Sequence, residues 1–172
     1  GAHDVAILDG GLAKWKAEGR PLAQGKETLR HRHFTVWQDD KNLRTKAHVL
    51  ANLHSKDEQV VDARGAKRWS GEEADPRLNI ACGHIPGSFN VPFTEVYNAD
   101  GTFKDPAAIR ATFEAAGVDM GKPVITSCGS GVTACVLIFA MHLAGKDDAA
   151  LYDGSWTEWG NDPDTPKAVK TA

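Results

Sequence analysis

Short apolar, β-branched runs alternate with longer stretches of helical period along most of this chain. His33–Trp37, Gln59–Ala63, Phe89–Val91, Val124–Ser127 and Ala150–Tyr152 read as strands. Thr45–His54, Pro106–Ala116 and Thr133–Ala144 read as helices. The second helix has the clearest ends. Asp105 can cap it, Pro106 suits its first turn, Ile109, Phe113 and Ala116 share one face, and Gly117 stops it. Strands alternating with helices predict an α/β layer fold with a largely parallel sheet. Ligands in such sheets sit at the carboxyl ends of strands, and the residue just past Val124–Ser127 is Cys128.

The first residues repeat a pattern found near the end. Val5-Ala6-Ile7-Leu8-Asp9-Gly10-Gly11 and Ala149-Ala150-Leu151-Tyr152-Asp153-Gly154-Ser155 each join an apolar strand to an Asp-Gly turn, and aromatic-bearing helical turns follow both. A lone strand cannot satisfy its own backbone, so residues 1–19 are expected to be the end of a preceding domain. Arg20 to His33 is polar and basic, contains Pro21 and Gly25, and has neither period; it reads as a linker, with residues 34–172 as the main domain.

Composition narrows the classes. The chain has 172 residues, 41% hydrophobic and 25% charged, with a formal net charge of −3. That balance gives no electrostatic case for nucleic acid or an anionic membrane. The longest apolar run, Ala134 to Met141, is far short of the roughly 20 residues that span a bilayer. Cys82, Cys128 and Cys135 form neither a disulfide framework nor a zinc pattern, and a reducing, cytoplasmic setting is expected. No metal, nucleotide or flavin motif is present, so no cofactor is expected.

The chemistry concentrates in Cys128-Gly129-Ser130-Gly131-Val132-Thr133. Glycines let a short loop turn its N–H groups inward, and the following helix points its positive end at the same place. Such surroundings lower a Cys pKa from roughly 8.5 into the range of about 3.5 to 7.5, giving a nucleophilic thiolate. A buried structural Cys is the plainer alternative. The loop carries no Lys or Arg, which suits a doubly charged anion poorly. A Cys-x5-Arg phosphatase needs Arg where this chain has Ala134. Ser130 could donate to a reacting group or satisfy the loop. Arg68 and Arg77, in the connection after the Gln59–Ala63 strand, can reach the same sheet edge and fork onto a carboxylate; equally, they can pair with Glu72, Glu73 and Asp75. Arg64 reads as a structural ion-pair residue, and His84 as a loop histidine or a general base.

Together, Val60-Val61-Asp62-Ala63-Arg64, Gly83-His84-Ile85-Pro86-Gly87-Ser88-Phe89-Asn90-Val91-Pro92-Phe93, the Cys128 loop and Tyr152-Asp153-Gly154-Ser155-Trp156-Thr157-Glu158-Trp159 resemble the rhodanese superfamily over Phe34 to Gly160. The loop is similar to the mercaptopyruvate type rather than the basic loop of thiosulfate-specific members. The resemblance implies a rhodanese-like α/β fold, a five-stranded mainly parallel sheet flanked by helices on both faces, and tandem domains with the active Cys in the second. It also implies a sulfurtransferase that moves sulfur from 3-mercaptopyruvate through a Cys128 persulfide, releasing pyruvate, to an acceptor thiol such as a thioredoxin-like protein, or to cyanide. Arg68 and Arg77 would hold the donor with Gly129, Gly131, Val132 and Thr133. Ser130 would help protonate the leaving enolate together with an Asp and a His of the first domain, so residues 1–172 alone are expected to be impaired. The alternatives are a thiosulfate sulfurtransferase and a non-catalytic sulfur-carrier or binding module.

Overall fold

The structure is a computed structural model that describes residues 5–26, 28, 31, 33, 35, 36 and 40–170. Its centre is a five-stranded sheet, all of whose pairings are parallel. The strands are β1 (Leu43–Arg44), β2 (Gln59–Asp62), β3 (Phe89–Asn90), β4 (Val124–Ser127) and β5 (Ala149–Tyr152), in the spatial order β1-β5-β4-β2-β3. The helices are α1 (Gly11–Ala17), α2 (Lys46–Ser55), α3 (Ala66–Ser70), α4 (Pro106–Ala115), α5 (Val132–Leu143) and α6 (Ser155–Asn161), with a 3₁₀ turn at Phe93–Val96.

Parallel neighbours need long crossovers, and the helical stretches provide them, covering both faces. Val61, Val124 and Ala149 face Ile109 and Phe113 of α4 and Leu137, Ala140 and Met141 of α5. Val60, Ile125 and Tyr152 face Val49 of α2 and Trp156 and Trp159 of α6. Because both faces are covered, consecutive residues of β2 and β4 are buried, which is why Val60-Val61 and Val124-Ile125 are adjacent apolar pairs instead of alternating with polar residues. The helix ends follow local chemistry. The Thr45 hydroxyl accepts from His48 N–H at 3.3 Å while His48 Nδ1 accepts from Thr45 N–H at 3.2 Å, and the Asp105 carboxylate accepts from Ala108 N–H at 2.9 Å.

Two expected strands are not found among the described residues. The first strand of the sheet is Leu43–Arg44, not His33–Trp37; Phe34 and Trp37 lie outside the described residues, and His33, Thr35 and Val36 are not in a strand. β1 exists because Leu43 and Arg44 register with Leu151 and Tyr152, not because its own two residues are strongly β-prone. Val5–Leu8 has no strand partner among the described residues, although α1 follows it as the repeat predicts. Val5, Ile7, Leu8 and Leu12 are exposed there. The segment touches the rest of the domain at the 98–103 turn, where Asp9 Oδ1 accepts from Phe103 N–H at 2.9 Å and Lys14 pairs with Asp100 at 3.6 Å.

Connections from β2 and β4 lead to opposite sides of the sheet, to β3 and to β5. The crevice between the carboxyl ends of β2 and β4 is therefore the topological switch point, the usual ligand position in an open parallel sheet.

Candidate active site

Cys128 follows the last residue of β4 at that switch point and is only 1% exposed. The loop turns into α5 through Gly131, whose φ of 82° is in the left-handed region. A Cβ at Gly131 would also stand 2.7 Å from Asp153 Oδ1. Burial pushes the Cys128 thiol up, but hydrogen bonds from the Thr133 hydroxyl and from the backbone N–H groups of Ser130, Ala134 and Thr133 outweigh it, so the thiol is held below its ordinary range. Gly129 and Gly131 are buried, Ser130 is exposed with its N–H aimed at the sulfur, and Val132 is 72% exposed at the mouth.

The segment after β5 grips this loop from behind. The Ser155 hydroxyl accepts from Cys128 N–H at 3.2 Å and from Gly131 N–H at 3.0 Å, and donates to Tyr152 O at 2.8 Å. Trp156 N–H donates to Cys128 O, and Thr157 donates to Gly129 O through its N–H and its hydroxyl. Ser155 is fully buried and has a φ of 50°, a left-handed conformation that serine rarely adopts. Sequence reasoning missed it. A signal was present in the repeat, since Gly11 stands where Ser155 does and its φ is 57°.

Arg68 is carried by α3, a helix not read from the sequence, and Arg77 by the loop after it. The expected ion pairing is present, with Asp75. Each arginine pairs with Asp75, Arg68 Nη2 at 2.8 Å and Arg77 Nη1 at 3.1 Å, and Asp75 Oδ1 accepts Arg77 N–H at 3.0 Å as well. Yet both guanidinium groups also lean over the Cys128 loop. A Cβ on Gly129 would meet Arg77 Nη2 at 2.9 Å and Arg68 Nη2 at 3.2 Å, so glycine is what lets them approach. Asp75 is 1% exposed by its side chain, not on the surface. Its burial raises the carboxyl, but the Arg77 N–H and the Arg68 and Arg77 guanidinium groups hold it below the usual carboxylate range. Arg68 Nε is buried with no acceptor among the described residues.

The other candidates are supports. Arg64, 3% exposed, pairs with Asp62 at 2.7 Å, donates to Gly83 O at 2.8 Å and lies over the Trp156 ring at 4.5 Å, as expected of a structural ion-pair residue. His84 stacks on Trp69 at 4.1 Å and its Nδ1 hydrogen-bonds Trp69 O, which steadies α3; burial pushes its pKa down. Cys82 and Cys135 are exposed, and burial of the Cys135 thiol, with the Cys128 and Asp153 charges near it, raises its pKa. No group of metal-ligating residues is found among the described residues.

A five-stranded parallel sheet with a lowered-pKa cysteine at its switch point, in a glycine-rich N–H cradle, defines an α/β domain with a cysteine-centred site. The rhodanese-like domain model matches residues 45–162, and the chain belongs to that family. It is 43% identical over 159 residues to the 3-mercaptopyruvate sulfurtransferase of Rattus norvegicus, covering 92% of this chain and 54% of that protein. It is 41% identical over 160 residues to the thiosulfate sulfurtransferase of Bos taurus, with the same coverage of 92% and 54%. The crystal structure of SseA from Escherichia coli, described as a 3-mercaptopyruvate sulfotransferase, superposes with a TM-score of 0.78 at 37% identity, covering 90% of this chain and 57% of that one. The chain thus spans about half the length of these relatives.

Proposed function

We propose that this domain is the sulfur-accepting half of a 3-mercaptopyruvate sulfurtransferase. The observation that carries the reading is the pairing of a thiolate-stabilising N–H cradle with two guanidinium groups that approach it across Gly129. The Cys128 thiolate attacks the sulfur of 3-mercaptopyruvate, an S–S bond forms, and the C–S bond breaks with its electron pair going to carbon. The resulting pyruvate enolate takes a proton and leaves as pyruvate. The outer persulfide sulfur is then attacked by an acceptor thiolate, giving the acceptor persulfide, or by cyanide, giving thiocyanate, and the Cys128 thiolate is regenerated. Covalent catalysis of this kind divides one transfer into two easier ones.

In this reading Arg68 and Arg77 hold the donor carboxylate, the loop from Gly129 to Thr133 lines the sulfur, and Ser130 handles the enolate proton. A loop that carries no cation of its own supports 3-mercaptopyruvate over thiosulfate as donor. Residues 1–19 are proposed as the end of a preceding rhodanese-like domain, joined by residues 20–33 to the catalytic domain 34–172. The repeat and the exposed Val5, Ile7, Leu8 and Leu12 support this. Its acceptor would be a small thiol or a thioredoxin-like protein in the cytoplasm, a reducing setting that suits three unpaired cysteines. No helix among the described residues is long and apolar enough to cross a membrane.

The test is mass spectrometry of the chain after incubation with 3-mercaptopyruvate or thiosulfate, beside Cys128→Ala. One added sulfur on the Cys128 peptide, faster from 3-mercaptopyruvate, is expected. A thiol that iodoacetamide labels at pH 6 no faster than a free cysteine, with no sulfur adduct from either donor, would sink the reading.

A further inference from the structure

We propose that Asp75 sets the charge of the anion this site accepts, selecting monoanions against dianions; the link to a sulfur donor rests on the sulfur-transfer reading above. Two guanidinium groups beside a cysteine form, by themselves, a good dianion site. Here they are not by themselves. Asp75 is almost fully buried between them, binds one with each carboxylate oxygen, and takes the Arg77 N–H too, so its charge is fixed where an incoming anion would meet the pair. It is held ionised by these same contacts.

The other charges around the loop have the same sign. The Cys128 thiolate belongs to the residue before Gly129, over which both arginines lean, and the exposed Asp153 carboxylate lies beside Gly131. The loop itself adds backbone dipoles and no cation. Asp75 thus cancels one of the two guanidinium charges and leaves one for an incoming anion. A first negative charge gains the forked contacts, whereas a second gains little attraction to offset its greater loss of hydration. 3-Mercaptopyruvate bears one charge and thiosulfate two. Asp75 therefore acts as a positioning and specificity residue that need not touch the reacting sulfur.

The experiment separates charge from shape by using methanesulfonate and sulfate, two tetrahedral oxyanions that differ by one charge. Each is titrated as a protector of Cys128 against iodoacetamide in the native chain, Asp75→Asn and Asp75→Glu. In the native chain methanesulfonate should half-protect at a concentration about tenfold or more below that of sulfate. Asp75→Asn should shift this ratio about tenfold toward sulfate, and Asp75→Glu, which keeps the charge, should leave it in place. Equal protection by both anions in the native chain overturns the proposal even if the Asn variant does not fold. So does an unchanged ratio in a folded Asp75→Asn. Protection is read without turnover, so failure of sulfur loading from both donors would tell against the sulfurtransferase reading and not against this one.

Discussion

Replacing Ser155 by Ala removes one oxygen from behind the reactive loop and leaves three backbone groups without their partner: Cys128 N–H, Gly131 N–H and Tyr152 O. A buried donor left unsatisfied costs about 1–3 kcal/mol. Two such donors, with some relaxation of the loop, give an expected loss of about 2–4 kcal/mol of folding stability. The backbone strain is not relieved, because alanine at a φ of 50° is as disfavoured as serine. Glycine is relieved of it, so Ser155→Gly should recover about 1 kcal/mol relative to Ser155→Ala, and the stability order should be Ser, Gly, Ala. The thiol should respond as well. Its N–H donors from Ser130, Thr133 and Ala134 are aimed by a loop that Ser155 anchors at both ends, and weakening one charge-assisted bond by about 1.4 kcal/mol raises a pKa by about one unit. Both variants should therefore show the pH profile of Cys128 alkylation displaced upward by about one unit, with the Gly variant displaced despite its better stability. Urea denaturation and iodoacetamide labelling followed by peptide mass spectrometry read the two effects separately. If Ser155→Ala unfolds at the native midpoint and labels with the native pH profile, the loop is held by something else and the argument fails.

Two further perturbations probe the arginines and the buried Asp62–Arg64 ion pair. Gly129→Ala inserts a methyl 2.9 Å from Arg77 Nη2; the guanidinium ends can swing away, so stability should change by less than about 1 kcal/mol while the donor KM rises about tenfold or more through lost charge-assisted contacts. Steady-state kinetics against 3-mercaptopyruvate checks this. Asp62→Ala strands Arg64, which is 3% exposed, and should cost about 3–5 kcal/mol in urea denaturation; a loss under about 1 kcal/mol would show that Gly83 O and the Trp156 ring suffice to hold the guanidinium.

Much of this protein is local in origin. The doubly buried strands β2 and β4 are apolar at successive positions, α4 carries its own cap and stop, and the Cys128 loop places its glycines where a backbone cradle needs them. These signals act over a handful of residues, so the amino-acid sequence alone determined the α/β class, most element positions and the placing of Cys128 at a strand's carboxyl end. β1 was not legible because two residues become a strand only when Leu151 and Tyr152 lie alongside. The placement of Arg68 and Arg77 was not legible either: the sequence offers three acids for pairing, and only packing decides that Asp75 is buried between them while both guanidinium groups approach Gly129. Ser155 owes its part to a left-handed backbone and to loop N–H groups contributed from another strand end. Tertiary structure decided these features because hydrogen-bond satisfaction and charge balance are settled between residues distant in the chain, by which groups are buried together, and no local pattern encodes that partner.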